Sequence, residues 1–165
     1  MKLASFEAIA RVLTQAGVRF LVVGGVAVAT HGYLRVTRDV DLVVQLQPEN
    51  IIAALKALQK LGYQPRVPIT PEQFADPSVR DSWIAGKQML VLSLFSDLHR
   101  ETPVDVFVRE PFDFDAEFAK AHIESLGEVR VPFVTLQTLI QMKMATGRQQ
   151  DLIDAEQLRL RGDVK

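Results

Sequence analysis

Two aspartates one residue apart, Asp39 and Asp41, open the apolar run DVDLVV. Side chains two apart on a strand point to the same face, so both carboxylates converge there. Like charges that close repel, and burial raises a carboxyl pKa, unless a cation sits between them. A hard divalent cation with oxygen ligands meets that need. The plainer reading is that aspartate begins many strands as a turn residue. A third acid, Asp105, lies inside the apolar run TPVDVFV, where a carboxylate is costly unless paired or metal-bound. If its strand lies beside the first, three carboxylates meet, an arrangement that holds Mg²⁺ and leaves positions open for substrate phosphates.

Other residues could serve the same chemistry. Gly24-Gly25 follows a short apolar run and precedes a helical one. Glycines there let backbone approach a phosphate at a helix N-terminus, although such a pair is more often a plain turn. No G-x-G-x-x-G and no Walker lysine is present, so the Rossmann and P-loop signatures are missing. Arg35 can steady a phosphate and Thr37 can orient a metal loop; a solvated arginine and a turn threonine explain them equally well. Lys143 and Asp151 can meet as an ion pair near the site, against the reading of ordinary surface charge. His31, followed by Gly32, reads as a helix-end packing residue. Trp83 reads as an anchor of its segment to the core.

These side chains need elements to position them. Phe6, Ile9, Ala10, Leu13 and Ala16 recur at helical spacing over 3–16, with Gly17 where a helix C-terminus favours it. Strands are expected at 18–23 and 40–46, with a short helix at 26–30 and a longer one at 50–61. Residues 64–87 hold four of the eight prolines and read as a long irregular lid, folded over or beside the site. Strands at 89–95 and 104–108 follow as antiparallel neighbours. A mostly loop-like passage, 111–128, then leads into a strand at 129–134. Two helices, about 135–146 and 148–160, close the chain, hinged at Gly147. The order αβαβα, ββ, then helices predicts an α+β fold with a small mixed sheet of about four to five strands.

Bulk properties narrow the function further. The 165 residues amount to one domain's worth, 1–165. Apolar residues make up 48% and charged residues 24%, which excludes intrinsic disorder. Lys and Arg total 19 against 20 for Asp and Glu, so no bulk field draws the protein onto nucleic acid or a membrane. With no cysteine, disulfides, thiolate metal sites and cysteine nucleophiles are excluded. Glu7 interrupts any apolar run a signal peptide would need, and no stretch is long enough to span a bilayer. The expectation is a soluble, cytoplasmic protein with no membrane partner.

The string GGVAVATHGYLRVTRDVDLVV resembles the nucleotidyltransferases of the DNA polymerase β-like superfamily. There a Gly-Gly or Gly-Ser turn precedes a D-x-D strand, and a third aspartate comes from a neighbouring strand. The positions that match are Gly24, Gly25, Asp39, Asp41 and Asp105. The segment HGYLRVTRDVD, with His31, Gly32, Arg35 and Thr37, is similar to the bacterial minimal branch that includes abortive-infection type toxins. So is the tail KMATGRQQDLIDAEQL, with Lys143, Arg148, Asp151 and Asp154. The resemblance touches both ends and the middle of the chain. One departure is Gln150, where many relatives carry lysine.

The resemblance implies a nucleotidyltransferase fold with C-terminal helices and transfer of a nucleoside monophosphate from an NTP to an acceptor hydroxyl. Asp39 and Asp41 would hold two Mg²⁺, with Mn²⁺ as a substitute, and Asp105 would share the catalytic metal and help activate the hydroxyl. Gly24, Gly25, Arg35, Thr37 and Lys143 would bind the nucleotide. Acceptors across the superfamily include RNA ends, protein side chains and small molecules, and a cognate toxin or antitoxin is the expected protein partner. The alternative from another class is an inactive nucleotide- or partner-binding module of the same fold. A metal-dependent phosphohydrolase lacks its H-D pair or histidine cluster.

Overall fold

The computed structural model describes residues 1–162. Its elements run α1 (Leu3–Gln15), β1 (Phe20–Val23), α2 (Gly24–Thr30), β2 (Val40–Val44), α3 (Pro48–Gln59), β3 (Gln64–Pro65), α4 (Pro71–Ala75), α5 (Pro77–Lys87), β4 (Val91–Phe95), β5 (Val104–Phe107), α6 (Phe114–Ala119), β6 (His122–Leu126), β7 (Val129–Phe133), α7 (Leu136–Thr146) and α8 (Gln149–Gly162). The strands form one mixed sheet in the order β3-β4-β5-β2-β1-β7-β6. β2 is antiparallel to β1 and parallel to β5, while β4 is antiparallel to β5.

Strand periodicity divides this sheet into two chemically different faces. Val40, Leu42, Leu92, Leu94, Val104 and Val106 are buried on one face. The alternate positions on β4 and β5, together with Asp41, are half-buried on the other, apart from exposed Phe95. That second face carries Val91, Ser93, Asp105 and Phe107 beside Asp41. α1 presents Phe6, Ile9, Ala10 and Leu13 to the core and packs with α3 and β7, while α2 contacts β1, β2 and α7. Fully apolar β1, FLVV, is buried throughout, which is how a central strand covered on both faces reads.

Three expectations need correction. The sheet has seven strands rather than four to five. The passage 111–128 is not loop-like, because it contains α6 and β6. β6 lacks a visible apolar pattern because Ile123, Glu124 and Ser125 are all exposed, so nothing in its sequence marks a buried face. Segment 64–87 is also ordered into two helices. Its prolines open them: Pro71 and Pro77 occupy first-turn positions, where proline's missing N–H costs nothing. Thr70 and Gln73 form a reciprocal capping box, and Asp76 caps α5 by accepting from the Ser78 N–H.

That segment is not a lid either. None of its residues lines the large cavity described below. α4 packs against α3, and Phe74 meets Trp83 at a ring separation of 6.1 Å. Trp83 thus anchors the segment to the core. The two closing helices lie where expected, separated at Gly147, whose φ of +69° is one a side chain would oppose. Among the described residues no helix is long and apolar enough to cross a membrane.

Candidate active site

The parallel register of β2 and β5 sets Asp41 directly beside Asp105. Asp39 is two residues before Asp41, and the extended stretch 33–39 alternates inward and outward residues. Its half-buried positions are Tyr33, Arg35, Thr37 and Asp39, while Leu34 and Val36 are exposed. Arg35, Thr37, Asp39 and Asp41 therefore share one side of a continuous extended chain. On the other flank Ser93 pairs with Asp105 in register, and its hydroxyl donates to Asp105 Oδ1 at 2.8 Å.

Electrostatics mark this face as short of positive charge. Burial, then the charges of Asp105 and Asp39, push the Asp41 carboxyl up to about 7, while Lys143 and Arg148 only partly offset them. Asp105 is raised as well, chiefly by burial, with the Ser93 hydrogen bond pulling against it. Among the described residues no three His, Cys, Asp or Glu side chains are gathered at metal-binding spacing. The backbone thus brings the carboxylates onto one face without closing them into a cage. All three donors are hard oxygens, the ligand type Mg²⁺ or Mn²⁺ takes, on a face that lacks counter-charge, but at their present spacing they do not by themselves form a three-carboxylate site.

The glycine pair has a different local cause from the one its sequence suggested. Gly24 adopts φ +68°, and a β-carbon there would overlap the Asp41 carboxylate. A β-carbon on Gly25 would overlap the Thr37 hydroxyl and crowd Arg35. Both glycines make room for this chain's own side chains. They also line the cavity, with Arg35, Asp39, Asp41, Asp105 and Lys143; Thr37 does not.

The two cationic candidates are engaged by acids of α8. Arg35 donates Nε and Nη2 to the two carboxylate oxygens of Asp154, each at 2.9 Å, a bidentate pair with a fully buried acid. Lys143 Nζ lies 2.8 Å from Asp151 Oδ1 and 3.1 Å from Asp154 Oδ2. Arg148 Nε and the Thr146 hydroxyl both donate to Asp151 Oδ2, at 2.7 and 2.6 Å. Burial alone would raise Asp151, but hydrogen bonds from Lys143, Thr146 and Arg148 outweigh it and hold the carboxyl at about 2. Asp154 is likewise held low, burial being overcome by Gln150, Arg35 and Lys143. The Lys143–Asp151 pair is thus a buried link, not surface charge. Gln150 gives Asp154 Oδ1 a neutral donor at 2.9 Å.

Sequence reasoning missed Ser93, the Arg35–Asp154 pair and the apolar part of the cavity. Only the β4–β5 register puts Ser93 opposite Asp105, and Arg35 and Asp154 are 119 residues apart. His31 caps the end of α2, buried, with Nε2 2.8 Å from the Val134 carbonyl oxygen. The cavity lined by Asp39, Asp41, Asp105, Arg35, Lys143 and Asp151 has a volume of about 1100 Å³. That lies at the upper end of the roughly 300–1,000 Å³ of ordinary ligand pockets.

No protein-family model and no curated protein matches the chain. The solved structures do contain similar folds. One is the crystal structure of a provisionally assigned nucleotidyltransferase from Thermotoga maritima, 15% identical, with a TM-score of 0.59 over 99% of this chain and 93% of that one. At that identity the likeness concerns architecture. The chain has an α+β, nucleotidyltransferase-like fold with a mixed sheet and packed helices.

Proposed function

We propose that the protein is a metal-dependent nucleotidyltransferase, moving a nucleoside monophosphate from an NTP to an acceptor hydroxyl. The observation that carries this reading is the β2–β5 register, which seats Asp41 beside Asp105 on the face shared by Asp39, against the Gly24 backbone. Mg²⁺ or Mn²⁺ held by Asp39, Asp41 and Asp105 would neutralise the triphosphate and the entering and leaving oxygens. In the reaction the acceptor oxygen bonds to the α-phosphorus, the bond to the bridging oxygen breaks, and pyrophosphate leaves. The hydroxyl proton passes to Asp105 Oδ2, the oxygen that Ser93 leaves free. Lys143 and Arg148 stand at the cavity wall, paired with Asp151 and Asp154, and would add only secondary counter-charge to the metal-bound triphosphate.

The resemblance of the tail to the abortive-infection branch extends this proposal to one half of a toxin–antitoxin pair, with a cognate protein as partner. Calorimetry with a non-hydrolysable NTP and Mg²⁺, paired with radiolabel transfer onto cell RNA, protein and small molecules, tests the proposal. Binding together with labelled product supports it. Wild type that binds NTP and labels nothing with any of the four NTPs favours the inactive binding module.

A further inference from the structure

Beyond the acids, the same open sheet face turns apolar. Phe107 follows Asp105 by two residues on β5, and its register partner on β4 is Val91, as Ser93 is the partner of Asp105. Leu90, 74% exposed, extends this surface at the start of β4, and Phe112 and Met142 close it, all lining the cavity. A half-exposed apolar shelf thus adjoins the carboxylate assigned to the acceptor. Leu90 is largely exposed and Val91, Phe107 and Phe112 are half-buried, an apolar lining open to the cavity of the kind that receives a ligand's apolar part.

Charge selects among occupants. The cations lining the cavity are Arg35, Lys143 and Arg148, and each is already paired with Asp151 or Asp154. Asp39, Asp41 and Asp105 face the same space. An RNA strand needs a run of unengaged cations for its successive phosphates; the cavity lining supplies none, and Arg66, whose charge reaches Asp105 from outside that lining, stands singly. An NTP differs, because its phosphates arrive with a divalent cation.

We propose that the shelf formed by Leu90, Val91, Phe107 and Phe112 is the acceptor subsite, and that it takes a small, uncharged alcohol carrying an aromatic or apolar ring. This assignment rests on the transfer reading for the fate of the hydroxyl, but not for binding. A ring lying on Phe107 and Phe112 gains offset or edge contacts and brings its hydroxyl toward Asp105.

The test uses 2-(2-naphthyl)ethanol, a neutral aromatic alcohol, titrated against the full chain by fluorescence. Wild type should bind it saturably, and both Leu90→Asp and Phe112→Ala should weaken binding at least ten-fold. Leu90 is so exposed that its replacement leaves the core intact, and circular dichroism checks folding of both variants. A 12-nucleotide single-stranded RNA at 100 mM NaCl should leave the bound alcohol in place. Absence of saturable binding, equal binding by both folded variants, or displacement by the RNA would overturn the shelf. Calorimetry with the non-hydrolysable Mg-NTP separates the two readings. Alcohol bound without NTP supports the shelf and defeats nucleotidyl transfer, whereas NTP bound without alcohol does the reverse.

Discussion

Asp41 and Asp105 on the sheet face and Asp151 and Asp154 on α8 are the same side chain; the first three line one cavity and Asp154 is buried behind it. The first pair is held above the usual carboxylate range by burial and mutual repulsion, the second below it by Lys143, Arg35, Arg148 and neutral donors. Burial acts in the same direction on all four, so counter-charge makes the difference. A buried acid whose partners are covalently part of the chain is a structural device. A buried acid without one has an unmet electrostatic demand, and a cation brought by substrate can meet it.

Catalysis should separate the pairs most sharply. Asp105→Asn is expected to lower nucleotidyl transfer by about 1,000-fold or more, the scale of losing a positioned proton acceptor and metal ligand. Mg-NTP binding should persist within a few-fold, because Asp39 and Asp41 remain; unchanged labelling in the radiolabel assay would remove Asp105 from the reaction. On α8 the loss should instead be one of stability. Asp154→Ala strands Arg35 and Lys143 beside a buried void, and breaking such a pair costs about 3 kcal/mol. Urea denaturation measures that directly, and a shift under about 1 kcal/mol would contradict a structural role.

The pH dependence should run oppositely for the two groups. Asp41 has a folded pKa of about 7 against 3.8 for the free side chain, so the folded state keeps a proton the unfolded chain gives up. Its contribution to stability therefore declines as pH rises from about 4 to about 7. Asp151, at about 2, contributes stability that is present above about pH 4 and lost as pH falls through 2. In metal-free buffer at pH 8, Asp41→Asn should stabilise the fold by about 2 kcal/mol, discounted from the full shift. The gain should vanish at pH 4, and equal stabilisation at both values would refute the assignment. Smallest is Ser93→Ala, which removes the donor that orients Asp105. It should lower kcat about ten-fold with KM for NTP nearly unchanged, and Ser93→Thr should restore most of the loss.

Much of the fold was legible for local reasons. The helical stripe of α1, the apolar run of β1 and the Gly147 break between α7 and α8 each follow from side chains a few positions apart. The proline-rich segment misled because prolines were read as breakers, when Pro71 and Pro77 begin helices behind Thr70 and Asp76. β6 escaped because exposure on both faces leaves no periodic signal. Within the site, the D-x-D spacing implied a shared face, but the distance from a third acid 64 positions onward could not be read from spacing alone.

Residue type and spacing by themselves determined which groups are available: Asp39 and Asp41 on one side of an extended chain, Asp105 in an apolar run, two glycines before a short helix, and no cysteine. Tertiary structure decided which of these charges meet. Parallel pairing of β2 with β5 placed Asp105 beside Asp41, and packing of α8 gave Arg35 to Asp154 and buried the Lys143–Asp151 pair that the sequence had only offered. The physical reason is range. Periodicity and capping are set within about four residues, whereas ion pairing and strand register join residues far apart in the chain through whichever faces the core brings together.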